Sequence, residues 1–164
     1  MTVFPPRQAT IVDAPEIVRL HTDVHEEAYG ALLPDEFFRM RGATLEQRIA
    51  QRRVSLAEGS LPLLAQDGDG TLIGIAHAGP AQDEYAPTAL ELYMIYALAR
   101  VHGQGVGQAL LDAAIGRQPA SLWVLEDNPR AHAFYARNGF APDGRRELLP
   151  DAWANLPKIR MVRR

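Results

Sequence analysis

Cysteine is absent from the 164 residues, which excludes disulfides, thiolate metal sites and any covalent intermediate carried on a cysteine. Lysine is nearly absent as well: Lys158 stands alone against sixteen arginines in a total of 17 basic residues. That bias reads as base composition of the source genome and not as function. Against 20 acidic residues the net charge is −3, so the chain lacks the basic field that condensation on nucleic acid requires. No apolar run approaches the ~18 residues of a membrane span, and Met1 to Thr10 lacks the apolar core of a signal peptide. The expectation is a cytoplasmic protein with neither nucleic acid nor a membrane as partner. Internal repeats, low-complexity tracts and long linkers are lacking too.

What is present is ordinary globular composition, 47% apolar and 23% charged, at a length close to one domain. Residues 1–164 are therefore read as a single domain. Arg7 to Val12 reads as a strand. Asp13-Ala14-Pro15-Glu16 resembles a capping box before a helix whose apolar positions are Ile17, Leu20, Val24 and Ala28. After the break at Pro34 a second helix is predicted over Leu45 to Ala57. Leu61 to Gln66 and Thr71 to Ala78 form a hairpin across Asp67-Gly68-Asp69-Gly70. Ala89 to Leu98 is a strand and Gly105 to Ile115 a helix stopped by Gly116. Ser121 to Leu125 is a buried strand. Asn128 caps a last helix with Pro129 at its first position and Gly139 at its end, and Arg145 to Leu149 and Lys158 to Val162 complete the strands. The order β-α-α-β-β-β-α-β-α-β-β describes an α/β fold with a mixed sheet.

The most informative segment is His102-Gly103-Gln104-Gly105-Val106-Gly107, between a strand and a helix. Glycines let backbone approach a ligand at positive φ, and the helix start adds unpaired N–H groups and partial positive charge. Together these make a phosphate cradle; without a ligand the same residues are a tight turn. Gln108 and Ala109 stand where a Walker loop needs Lys-Ser/Thr, which excludes P-loop hydrolysis. A dinucleotide site resting on these glycines and Glu126 has its third glycine one position early and too little chain after it.

The segment resembles the acetyl-CoA signature of the Gcn5-related N-acetyltransferases (GNAT), Gln/Arg-x-x-Gly-x-Gly/Ala after a strand, with Gly105 and Gly107 matching and His102 where the family prefers Arg or Gln. A second block, Asn128-Pro129-Arg130-Ala131 with Phe134-Tyr135 and Gly139-Phe140 after Leu122-Trp123-Val124, matches the family's N-x-x-A-x-x-F-Y-x-x-x-G-F. The resemblance implies a mixed, mostly antiparallel sheet with helices on both faces and two splayed parallel strands, Ala89–Leu98 and Ser121–Leu125, at the acetyl-CoA site. It implies that the backbone of Ile95, Ala97 and Leu98 holds the pantetheine arm. His102, Gly103, Gln104, Gly105, Val106, Gly107 and Gln108 would hold the pyrophosphate, with Asn128 near the sulfur. No metal is implied.

With no cysteine, the economical chemistry is direct attack of a primary amine, of a small molecule or a peptide, on the thioester. The resemblance makes Tyr135 the acid candidate, since it stands at the Tyr of the family's Phe-Tyr pair, whose hydroxyl reaches the CoA sulfur, and a phenol of pKa about 10 keeps its proton at neutral pH; on sequence grounds alone a Tyr beside Phe134 is more often a core residue. Glu91, sharing a strand face with Tyr93, Ile95 and Ala97, is the base candidate that the resemblance implies, since lysine-acetylating relatives relay the amine proton through water to a Glu near this position; the other reading is an exposed carboxylate at the strand start, with a water chain as the route for the proton. His21 and His25, four apart with Glu26 and Tyr29 nearby, read as a solvated helix face, with a wall of the acceptor pocket as the functional alternative. His77 reads as a packed or edge histidine, and Trp153 closes the acceptor site or fills core. Glu26, Glu27, Asp35 and Glu36 give a hint of an acidic groove for a polyamine. A catalytically inactive acyl-CoA sensor of the same fold is the competing function, and homodimers are frequent in the family.

Overall fold

Asp67 makes the hairpin turn. Its N–H donates to the Thr71 carbonyl, and its carboxylate accepts the N–H groups of Asp69 and Thr71, both at 3.1 Å. Gly70 completes the reversal at φ 84°, a conformation that favours glycine. The computed structural model describes residues 5–164. Its elements are β1 (Arg7–Gln8), α1 (Ala14–Tyr29), α2 (Asp35–Ala43), α3 (Leu45–Ala57), β2 (Leu63–Gln66), β3 (Leu72–Pro80), β4 (Leu90–Ala97), α4 (Val106–Ile115), β5 (Ala120–Leu125), α5 (Pro129–Arg137), β6 (Ala141–Leu148) and β7 (Pro157–Arg163). The strands order as β1-β2-β3-β4-β5-β7-β6 in one mixed sheet. β4 and β5 are parallel, with Glu91↔Ser121 and Leu92↔Leu122 in register at the start of both strands. β1–β2, β2–β3, β5–β7 and β6–β7 are antiparallel.

Four readings of the amino-terminal part are corrected. The first strand stops at Gln8, and Ile11–Asp13 is a 3-10 turn. Asp13 does not cap α1: its carboxylate is taken by Arg7 at 2.7 Å and by the Thr10 N–H and hydroxyl. The arginine hydrogen bond holds the Asp13 pKa down at about 2. A further helix, α2, follows Pro34; it buries no residue fully and so carries no apolar stripe. Ala28 of the expected stripe is exposed, and Tyr29 is buried in its place.

The chain divides into two compact units: the described residues up to His77 with Ile95–Ala114, and Ala78–Met94 with Ile115–Arg164. In the first, Ala65, Ile73, Ala76, Val101, Val106 and Leu110 form a core against which Ile95, Ala97 and Leu98 pack. A Cβ on Gly74 would stand 2.9 Å from the Leu110 side chain and 3.0 Å from the Tyr96 carbonyl. Only glycine lets α4 lie this close. In the second unit the Arg160 guanidinium pairs with Asp143 at 2.7 Å and Asp83 at 3.3 Å. Its neighbour on β7, Lys158, lies 4.2 Å from the Trp123 ring centroid and 3.3 Å from Glu147.

Candidate active site

The loop between β4 and α4 is built as the glycines suggest. Gly103 and Gly105 take φ 76° and 86°, and a Cβ on either would meet no protein atom within 4 Å. Backbone conformation alone therefore demands glycine there, and the space outside the loop is open. The Gly105 carbonyl receives the Ala109 N–H at 2.9 Å, so α4 starts directly after it and presents first-turn N–H groups that no helical carbonyl satisfies. Side chains of the loop turn back onto the protein. His102 Nε2 donates to the Ala97 carbonyl at 2.8 Å, Gln104 donates to the Arg100 carbonyl at 2.9 Å, and Gln108 donates to Asp112 at 2.9 Å. Because a carbonyl only accepts, His102 carries its proton on Nε2. The loop thus offers its backbone to a ligand. Its approach is pinned as well: the Ala99 N–H donates to Glu27 at 2.7 Å, Arg100 pairs with Asp67 at 3.1 Å, and the Leu98 N–H donates to the Ile73 carbonyl at 3.0 Å.

In the second unit, Asn128 caps α5, its side-chain oxygen accepting the Ala131 N–H at 3.1 Å. His132 Nε2 donates to the Leu125 carbonyl at 2.9 Å and ties α5 to β5. Tyr135 is buried, with Phe134 and Phe140 edge-on at 5.4 and 5.9 Å. Gly139 ends the helix at φ 84°. Glu91, half-buried, accepts the Gln82 N–H at 3.0 Å, and the Tyr93 hydroxyl donates to the Pro80 carbonyl. Burial and then the Glu91 charge raise the Tyr93 pKa. Glu126 is engaged by Arg146 through both carboxylate oxygens, which gives this acid a structural partner in place of a ribose. Trp153 lies half-buried in a 3-10 turn between β6 and β7.

The histidine pair departs from its expected solvated face. His21 and His25 are each only 8% exposed and stack at 5.7 Å. Both meet Tyr96 edge-on, at 6.1 and 5.0 Å, and the Tyr96 hydroxyl lies 3.3 Å from that of Tyr29. A guanidinium of Arg52 approaches His21 Nδ1 at 3.3 Å, and since arginine only donates, this nitrogen is the acceptor of a neutral ring. Burial, then the charge of Arg52, holds the His21 pKa down at about 3; burial, then Arg41, does the same for His25. Such weak bases make poor proton acceptors for an amine. Burial also lowers the His77 pKa, with Arg52 adding to it. Of the four acids that hint at an acidic groove, Glu27 accepts the Ala99 N–H and Glu36 sits beside Arg39 at 3.9 Å. Sequence reasoning missed Tyr96 and three arginines, Arg41, Arg48 and Arg52, which with His21 line a cleft of about 270 Å³. The available signal was the spacing of Arg48, Arg52 and Ser55 along one face of α3.

Among the described residues no group of three His, Asp or Glu could hold a metal, and no helix is long and apolar enough to cross a membrane. The chain is 27% identical over 160 residues to the protein named "Probable N-acetyltransferase Rv2775" of Mycobacterium tuberculosis, covering 93% of this chain and 89% of that one. In fold it is similar to the PaiA N-acetyltransferase of Thermoplasma acidophilum, solved with coenzyme A, at a TM-score of 0.71 and 19% identity over 100% of this chain and 99% of that one. It is similar also to yncA of Salmonella typhimurium, solved with acetyl-CoA, at a TM-score of 0.66 and 18% identity over 99% and 92% of the two chains. The family model described as "Acetyltransferase (GNAT) family" matches residues 15–140, a span that takes in the glycine loop and the Asn128 to Phe140 block alike. The chain belongs to the GNAT family and is an N-acetyltransferase.

Proposed function

We propose that the protein acts as one domain that transfers an acetyl group from acetyl-CoA directly to a primary amine of a small molecule or peptide. The observation that carries this reading is the Gly103–Gly105 backbone leading into α4 with its side chains folded inward. Such a loop suits a pyrophosphate held by N–H groups. In this reading His102, bonded to the Ala97 carbonyl, braces the loop where the family has Arg or Gln, and the backbone N–H groups carry the pyrophosphate.

Acetyl-CoA supplies an activated thioester. For an alkyl amine of pKa about 10.4, presenting a free lone pair at pH 7 costs roughly 4.6 kcal/mol, so a proton acceptor must be at hand. Glu91, at the start of the parallel pair, is the candidate, directly or through water. The amine nitrogen forms its bond to the acetyl carbon and loses a proton, and the carbon–sulfur bond breaks. Tyr135 donates its phenolic proton to the departing thiolate, and Asn128 lies near that sulfur. Tyr135→Phe tests this assignment. Its ring packing survives, acetyl-CoA affinity is expected to be unchanged, and kcat should fall about 100-fold, the lower end of general-acid contributions. An unchanged kcat would remove Tyr135 from the chemistry. A chain that binds acetyl-CoA and turns over no amine would be the inactive sensor.

A further inference from the structure

The cleft walled by α1, α2 and α3 has an unusual lining. Arg41, Arg48 and Arg52 converge on it beside His21, Val18 and Ser55. Among the described residues, no carboxylate forms an ion pair with any of the three. Arg48 donates to the Thr22 hydroxyl at 3.0 Å, to the Arg41 carbonyl at 3.2 Å and to the Val18 carbonyl at 3.5 Å, and among the described residues Arg52 reaches His21 at 3.3 Å. Arg41 lies over the Phe37 ring at 5.4 Å, and its buried Nε has no hydrogen-bond partner. Each guanidinium carries five N–H donors; Arg48 commits three of them to Thr22, Arg41 and Val18, and Arg52 one to His21. Arg48 and Arg52 are four apart on α3, a like-charge spacing that destabilises a helix. Burial, with Arg48 adding to it, lowers the Arg41 pKa to about 10. Three half-buried cations are thus held together without an internal counter-charge.

We propose that this cleft binds a carboxylate or phosphate group, and that this group belongs to the acceptor amine. The second half rests on the acetyltransferase reading; the first does not. Planar guanidinium forks match carboxylate and phosphate oxygens in pairs, and about 270 Å³ is below the usual range for drug-sized ligands, which suits a small acid. The cleft is lined by residues of α1, α2 and α3 alone and shares none with the glycine loop that leads into α4, so the anion is not the pyrophosphate of the cofactor. A polyamine would face three like charges, whereas an amino acid or an amino phosphate would be drawn in.

Two measurements test this. In the first, inorganic phosphate replaces chloride at constant ionic strength during thermal unfolding of the intact chain. At about 100 times Kd the wild-type Tm should rise by roughly 5 °C or more. The gain should be lost in the Arg48→Gln/Arg52→Gln variant and largely kept in Arg52→Lys. An equal response in wild type and double variant, or none in either, overturns the anion site. The second follows CoA release from acetyl-CoA with matched amines, β-alanine against propylamine and phosphoethanolamine against ethanolamine. The acid-bearing member should be preferred by about tenfold or more in kcat/KM. The double variant should lose that preference through the amine KM, with the KM for acetyl-CoA unchanged. Preference for the neutral amines or for spermidine, or a raised acetyl-CoA KM, overturns the acceptor assignment. An arginine-dependent phosphate response in a chain that acetylates nothing would instead count against the acetyltransferase reading and leave the anion site standing.

Discussion

At the scale of single residues, buried charge and suppressed charge dominate. Arg160 is only 11% exposed and satisfies two carboxylates. Arg160→Met should destabilise the protein by on the order of 3 kcal/mol, because Asp83 and Asp143 would be left without their cation; urea unfolding at pH 7 measures it. His21 and His25 make the opposite statement. Unfolded, an imidazole takes its proton near pH 6.5; in the folded chain both wait until about pH 3. Between those values the unfolded chain binds more protons, so stability is complete above pH 6.5 and falls on acidification. The slope is about 1.4 kcal/mol per pH unit for each ring. Asp13, held at about 2 against an ordinary 3.8, adds a second loss as pH drops below about 4. Urea midpoints should therefore decline already between pH 6.5 and 5, a range in which the ordinary carboxylates stay ionised. The same residues mark the limit of sequence reading. Spacing alone shows that His21 and His25 share a helix face, but which face depends on Tyr96, 71 positions beyond His25, and on α3 closing over them.

At the scale of elements, legibility followed how local the cause was. The hairpin at Asp67 to Gly70, the cap at Asn128 and the stops at Gly116 and Gly139 are set by residues within four positions, and all stand where expected. α3 runs over Leu45–Ala57 as its periodicity implies. α2 was invisible because it buries no residue fully, and the cap of α1 was misread because Arg7, six residues earlier, takes the Asp13 carboxylate. The glycine loop lends itself to a controlled test. Gly59 at the end of α3 and Gly105 share a positive φ, 93° and 86°, with open space where a Cβ would stand. Alanine at either should cost about 1–2 kcal/mol of stability. Only Gly105→Ala should also weaken acetyl-CoA binding, as titration calorimetry would show; equal affinities in both variants would detach the loop from the cofactor.

At the scale of the whole molecule, ligand and fold are linked. Acetyl-CoA at 100 times Kd adds about 2.7 kcal/mol, which for a chain of this length raises Tm by roughly 5–11 °C. NADH and ATP are expected to leave it unchanged, since Glu126 is committed to Arg146 and the Walker lysine is missing. The family was legible because its two motifs are short and local. The proposed acceptor cleft was not, since its lining residues come from three helices, the arginines from α2 and α3, whose packing no motif records. Lys158, finally, has a consequence for anyone who assays this enzyme. An acetylating catalyst is itself a bag of amines, and self-modification blurs both mass spectra and background rates. Here the ε-amines number one, and that one is clasped between the Trp123 ring and Glu147. After long incubation with acetyl-CoA the intact mass should stay free of a lysine adduct. Should Lys158 become modified, the indole emission of Trp123 would change with it, so that the protein carries its own optical alarm.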